Sequence, residues 1–284
     1  MFFTRLYYHA KPWLPYQIRA GLRRWRAPIL RRRHADSWPI QESAGRPPEG
    51  WPGWPEGKRF AFVLTHDVEG PHGLARVREL AELEMSLGFR SSFNLIPEGG
   101  EYEASRELRD WLMEHGFEVG VHDLYHDGKL FRSPARFADS AQKINQYLKA
   151  WNVEGFRAGF MLHRLDWMHH LNVLYDASTF DTDPFEPQPD GVGTIFPFWV
   201  PRPPDFAGAP ASGRRGGYVE LPYTLPQDST LFLLLRERQP DLWFRKLDWI
   251  AARGGKSLVN VHPDYVRYPD LPASSRTFPL EIYR

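Results

Sequence analysis

Two carboxylates two residues apart, two histidines four apart and a third histidine late in the chain are the side chains of this sequence best placed to make or break bonds. Asp67 and Glu69 stand in "LTHDVEG". In an extended chain alternate residues share a face, so these two project the same way while His66 and Val68 project the other. Carboxylates on one side repel. A cation between them relieves that repulsion, as do unequal roles in which one binds metal and the other works as a base with a tuned pKa. The plainer reading of "DVE" alone is a solvated strand end or a helix N-cap.

His122 and His126, in "HDLYH", reach a common cation if the chain turns helical directly after a strand, since positions i and i+4 then share a face. With one carboxylate they make a three-ligand zinc set that keeps a position open for water. Asp123 and Asp127 are then candidate acceptors for fixing the imidazole tautomers. Such a pair by itself is more often structural, and its placement opposite "DVE" is what raises its weight. His262 ends the apolar run "LVNVH" before Pro263, where an imidazole can protonate a leaving group near neutral pH or simply be buried and satisfied. Asp176 in "YDAS" is a candidate to orient that imidazole, and Arg157 in "GFRA" to keep a carboxylate ionised; both also fit ordinary ion pairs.

These residues need elements to hold them, and the chain supplies a regular alternation. "FAFVL" at 60–64 is apolar on both faces, as a buried parallel strand is, and Leu74, Val77, Leu80, Ala81, Leu83 and Leu87 follow at helical spacing up to Gly88. The unit repeats: "SSFNLI" with a helix over 102–115, "FEVGVH" with a helix over 134–150, and "GFRA" with a short helix over 164–172. "VLYDAS" leads into a long irregular stretch, "YVELP" into a helix over 240–253, and "SLVNVH" comes last. The alternation predicts an α/β fold, a distorted parallel (β/α) barrel of about seven strands. Every candidate residue then falls at the C-terminal end of a strand, on the rim where such barrels gather a site.

The chain has 284 residues, 42% of them hydrophobic, and no cysteine, so any metal must be held by His, Asp or Glu. No run approaches the roughly 20 apolar residues of a membrane span, and no secretory leader is recognisable, which points to the cytoplasm, with the inner membrane surface as an alternative address. Residues 1–37 read as a basic amphipathic helical extension, 38–57 as a linker with five prolines and four glycines, and 58–284 as the barrel domain. The first 33 residues carry nine Lys or Arg and no acid. Nine from 36 leaves 27 basic against 35 acidic, or −8, for the remainder. A basic segment laced with Phe, Leu and Trp can lie on an anionic membrane, bind nucleic acid, or pack against its own acidic body. Residues 184–217, with eight prolines, six glycines and several aromatics, read as a folded functional loop.

In order and spacing, "THDVE", "HDLYH", "RAGF", "DAS" and "LVNVHP" resemble the five motifs of the polysaccharide deacetylase family, also called the NodB homology domain or carbohydrate esterase family four, over residues 59 to about 264. The resemblance implies a distorted barrel and a divalent metal, commonly zinc, used to hydrolyse an N-acetyl group from an amino sugar. Carried over by motif, His122 and His126 are metal ligands, Asp67 the general base, Arg157 its orienting partner, and His262 the general acid with Asp176 behind it. The family's metal-binding Asp is replaced by Val68, which makes Glu69 the third ligand; Asp67 as ligand with Glu69 as base is the alternative. Asp123 stands where Ser or Thr is usual, and the third motif lacks its proline. The expected partner is an N-acetylated sugar or glycan rather than nucleic acid, with peripheral membrane contact through residues 1–33 as an addition. A binding module that has lost catalysis, and a deacylase acting on a lipid-linked sugar, are the alternative functions.

Overall fold

The structure, a computed structural model, describes residues 16–100, 102–204, 206 and 216–284; expectations for residues 1–15 and 207–215 lie outside it. Eight strands form one curled sheet: β1 (Ala61–Val68), β2 (Ser92–Leu95), β3 (Glu118–His122), β4 (Gly155–Arg157), β5 (Tyr175–Asp176), β6 (Phe198–Pro201), β7 (Gly217–Glu220) and β8 (Lys256–Asn260). Their order is β6-β7-β5-β4-β3-β2-β1-β8. Every pairing is parallel except that of β6 with β7. The seven parallel strands stand where the apolar runs place them. The antiparallel β6 falls inside the stretch read as irregular, and its Pro201 is tolerated because β6 is an edge strand.

The sheet is curled, and the chain beyond β7 reaches the exposed side of β8. Beyond β7, the amides of Thr224 and Leu225 both donate to Leu258 O of β8 at 3.0 Å, and Thr224 Oγ1 accepts from Leu258 N at 2.9 Å. An irregular segment therefore takes the place of a closing strand, which is the distortion in this barrel.

The helices cover the outside. Besides α1 (Tyr16–Arg33) the longer ones are α2 (Val77–Ser86), α3 (Arg106–Glu114), α4 (Pro134–Trp151) and α5 (Asp241–Arg253), with single turns at Pro71–Leu74 and Leu280–Tyr283. In α4 the hydroxyl of Ser133 accepts from Arg136 N at 3.2 Å, Pro134 opens the first turn, and Asn152 closes the helix in the left-handed conformation. Its apolar residues Phe137, Ala141, Ile144, Leu148 and Trp151 form one buried stripe against the sheet. The helix expected over 102–115 starts only at Arg106, because the Ser105 side chain caps it by accepting from Leu108 N. The one expected over 164–172 is reduced to a 3-10 turn at Trp167–His170.

Residues 38–57 lie along the body. Trp38 and Ala44 are buried with the core on the α5 side, Ile195 N donates to Ala44 O at 3.1 Å, and Trp54 Nε1 donates to Gly254 O at 2.8 Å. Proline and glycine here shape a fixed path.

Phe137 is fully buried between α4 and the sheet. Phe137→Ala is expected to lower unfolding stability by about 3–5 kcal/mol, measured by urea denaturation with an unchanged m-value.

Candidate metal centre and active site

Strand β1 carries both carboxylates to the rim. Asp67 lies opposite Asn94 of β2 in the parallel register, and Glu69 is the first residue past the strand. His66 turns outward onto Glu84 at 2.7 Å, which is the alternation expected of an extended chain. Asp67 Oδ1 accepts from Asn94 Nδ2 at 2.9 Å and Arg157 Nη1 at 3.3 Å, and its Oδ2 from Asn260 Nδ2 at 2.7 Å. Arg157, from β4, is itself fully buried and donates to Ala177 O at 2.9 Å and Thr65 Oγ1 at 2.8 Å. The arginine is thus locked by two other contacts while it holds Asp67.

Glu69 is fixed from both ends. Its Oε2 accepts from the Tyr265 hydroxyl at 2.6 Å, and its Oε1 lies 3.2 Å from His126 Nε2 and 3.7 Å from His262 Nε2. Its amide donates to Asp264 Oδ2 at 3.0 Å, and the same carboxylate accepts from Gly70 N at 3.3 Å and Gly73 N at 2.8 Å. A side chain at Gly73 would run into that carboxylate, so the close approach requires glycine.

His122 ends β3, opposite Arg157. Its Nδ1 faces the Arg157 carbonyl at 3.1 Å, which makes that nitrogen the donor and leaves Nε2 as the free lone pair. The route from His122 to His126 is not the helical turn expected. Asp123 and His126 both take left-handed backbone angles, with φ of 57° and 53°, and fold the chain into a tight loop that sets the two rings 4.9 Å apart. The aspartates serve the loop instead of the imidazoles: Asp123 accepts from Leu124 N at 2.6 Å, and Asp127 from Lys129 N at 2.9 Å. His126 stacks on Phe160 at 4.7 Å, and a Cβ at Gly159 would come within 2.8 Å of His126 Cδ2.

The structure corrects one contact. The carboxylate behind His262 is Asp228, whose Oδ1 meets His262 Nδ1 at 2.7 Å and whose Oδ2 accepts the His262 amide at 2.8 Å. Asp176 lies opposite Glu220 in the β5–β7 register and accepts from Ser178 Oγ at 2.5 Å. Asp228 belongs to the irregular closing segment, where no strand pattern marks it. The one available signal was its place before "STLFLL", where it caps a turn by accepting from Ser229 N. Tyr265, Asp264, Asn94 and Asn260 were likewise not singled out.

The charges at this rim are mutually dependent. Burial works to raise Asp67, but Arg157, His122, His262 and the Asn94 hydrogen bond outweigh it and hold the carboxyl lowered to about 2. Burial is overcome in the same way at Glu69, where His262, His126 and Tyr265 keep the carboxyl far below its ordinary range. Burial alone would lower His262, yet Asp228 and Glu69 raise it to about 10.

Glu69, His122 and His126 offer ligand atoms that all lie within 4.8 Å of one another. Both Nε2 atoms are buried and lack a hydrogen-bond partner, with His126 off the line of a hydrogen bond to Glu69. Two imidazoles and a carboxylate, with orphaned lone pairs converging, fit a divalent cation such as zinc and leave a coordination position open. Asp67, with both oxygens occupied by donors, stands outside that set.

Behind Asp67 the network continues through Asn260 to Gln227 Oε1 at 3.3 Å, and from Gln227 Nε2 to Glu186 at 2.7 Å. The Tyr223 hydroxyl lies 2.8 Å from Glu186 and 3.1 Å from Asp183, and its single proton serves only one of them. Burial, reinforced by Glu186, accordingly raises Asp183 to about 8.

No protein-family model and no curated protein matches the sequence. Among solved structures the chain is similar to a provisionally named polysaccharide deacetylase from Mycobacterium smegmatis, with a TM-score of 0.57 and 16% identity over 75% of this chain and 79% of that one. It is also similar to Puue allantoinase, with a TM-score of 0.53 and 15% identity over 77% and 82% of the two chains. At that identity the likeness is one of fold: the chain has the NodB-like polysaccharide deacetylase fold.

Gly159→Ala keeps Glu69, His122 and His126 but crowds Asp123 and His126, and is expected to weaken zinc binding about tenfold or more, measured by competition with a chromogenic chelator. Asp183, with its folded pKa raised, contributes stability present below about pH 4 and lost as pH rises through about 8. Wild-type urea midpoints should therefore fall relative to Asp183→Asn between pH 5 and pH 9.

Proposed function

We propose that this chain is a metal-dependent hydrolase that removes an N-acyl group, in the simplest case acetyl, from an amino sugar or its polymer. The observation that carries this reading is the convergence of Glu69, His122 and His126 between a buried, ionised Asp67 on one side and a His262–Asp228 pair on the other. A bound divalent ion would polarise the acyl carbonyl and lower the pKa of a coordinated water. Of the two carboxylates, Glu69 is the better supported ligand, because its Oε1 faces His126 whereas both oxygens of Asp67 are already held.

Asp67 then serves as the proton acceptor, with Arg157, Asn94 and Asn260 fixing its orientation and preventing it from swinging into the ligand set. His262 carries its proton on the side facing Glu69, because Asp228 holds Nδ1 and leaves Nε2 turned toward the site. That Nε2–H is positioned to protonate a departing amine. Without such a proton the tetrahedral adduct would expel water again and regenerate the amide. Asp176, paired with Ser178 and Glu220, has no contact with that step; its buried carboxyl instead supports the barrel interior, near Arg157.

Metal-replete protein is expected to release acetate from acetylated amino sugars or their oligomers, scored enzymatically. His122→Ala should lose bound metal, and His262→Asn should keep it while kcat falls by about 10²–10⁴. Glycan binding by protein that neither takes up metal nor releases acetate would replace this reading with a binding module.

A further inference from the structure

Helix α1 is amphipathic in the reverse of the usual sense. Ile18, Leu22 and Trp25, spaced to share one face, are 49%, 46% and 73% exposed. The opposite face is the one that meets the protein. There Ala27 is buried, Arg24 Nε donates to Leu233 O at 3.3 Å, Arg23 Nη2 to Phe185 O at 3.5 Å, and Arg31 pairs with Glu237 at 2.8 Å. Arginines thus anchor the helix while its apolar side faces outward.

The edges of that outward face are cationic. Arg26, Arg32 and Arg33 are exposed, and the helix contains no acidic residue. Next to it a cleft of about 550 Å³ gathers Arg31, Arg236, Arg238 and Arg245 against only Glu237 and Asp241. Among the described residues no helix is long and apolar enough to cross a membrane, so this face can lie on a bilayer but not through one. The pairing of an apolar stripe with positive flanks selects the occupant. A second copy of α1 would bring like charges together, and a nucleic acid would leave Ile18, Leu22 and Trp25 without a partner.

We propose that the outward face of α1 is a docking surface for an anionic lipid bilayer, with Ile18, Leu22 and Trp25 entering the headgroup boundary and the flanking arginines meeting phosphates. The inner side of α1 packs on Ser229–Leu234, the segment that follows Asp228. The docking itself does not depend on the hydrolase reading.

Co-sedimentation of the full chain with phosphatidylcholine vesicles, with and without phosphatidylglycerol, tests it. Binding is expected only to the anionic vesicles, and it should weaken as salt is raised. Leu22→Glu combined with Trp25→Glu, and separately Arg26→Glu with Arg32→Glu and Arg33→Glu, should each weaken binding at least about tenfold at unchanged circular dichroism and unchanged acetate release. Equal sedimentation of wild type and both variants, or equal binding to the two vesicle types, would overturn the proposal. So would light scattering that shows a dimer dissociated by the Leu22/Trp25 variant without any vesicle binding by wild type, or binding to RNA but not to vesicles.

Discussion

An ionised carboxylate can leave water only if cations and hydrogen-bond donors replace its hydration. This barrel buries Asp67 almost completely and Glu69, two residues on, for the greater part at one strand end. Much of the rim is built to meet that demand. Asp67 consumes Arg157, Asn94 and Asn260; Glu69 consumes Tyr265 and draws in His126 and His262. The same constraint extends outward, since His262 turned toward Glu69 needs a second anion behind it, and Asp228 supplies it. Removing a charged member leaves its opposite without a counterpart and removing a neutral one leaves a carboxylate short of a donor, so the site's geometry and its ionisation state are one property.

Parallel pairing makes this assembly cheap in chain length. Because neighbouring strands end on the same rim, register alone sets Asp67 beside Asn94 and His122 beside Arg157. The interior accepts further buried charge on the same terms. Lys246 and Asp181 pair at 2.7 Å with both side chains out of contact with water, and the buried Lys256 amine, lowered to about 7 chiefly by burial, donates to the Pro222 carbonyl. Asp176 and Glu220 are both raised above their ordinary values, burial acting first on each. A lumen holding so many titratable groups is less a hydrophobic core than a polar one wrapped in two apolar layers, beneath α2–α4 and beneath α5.

The fold itself does not select the reaction. Solved structures of similar architecture carry the names of a polysaccharide deacetylase and of an allantoinase, and a scaffold shared at such low identity leaves specificity to side chains and loops. In this chain the loops around the candidate site are the segments that break the barrel's regularity. The stretch after β7 closes the sheet and supplies Asp228, and the loop after β4 holds Phe160 and Met161 at positive φ, with Phe160 against His126. Backbone that departs from preferred angles persists where surrounding contacts over-determine it, and here it frames the cluster of Glu69, His122 and His126.

Composition and periodicity were enough to place seven parallel strands, four of the longer helices over most of their length, the helical character of the N-terminal extension, and the residues that end the strands. Those signals are local: alternation, a 3.6-residue repeat and a capping serine are all contained in short windows. That Arg157 reaches a carboxylate and that a carboxylate gathers with His122 and His126 were legible because strand ends on a common rim converge; which of Asp67 and Glu69 takes which place came from the resemblance to the deacetylase motifs. Tertiary structure alone decided the rest. That Asp228 and not Asp176 backs His262, that Tyr265 and Asp264 pin Glu69, and that His122 and His126 meet through a left-handed loop all depend on contacts or backbone angles without a periodic trace. His262 and Asp228 lie 34 positions apart and Glu69 and Tyr265 196 apart. Such partners are chosen by how the barrel closes, a property of the whole chain that no short window contains.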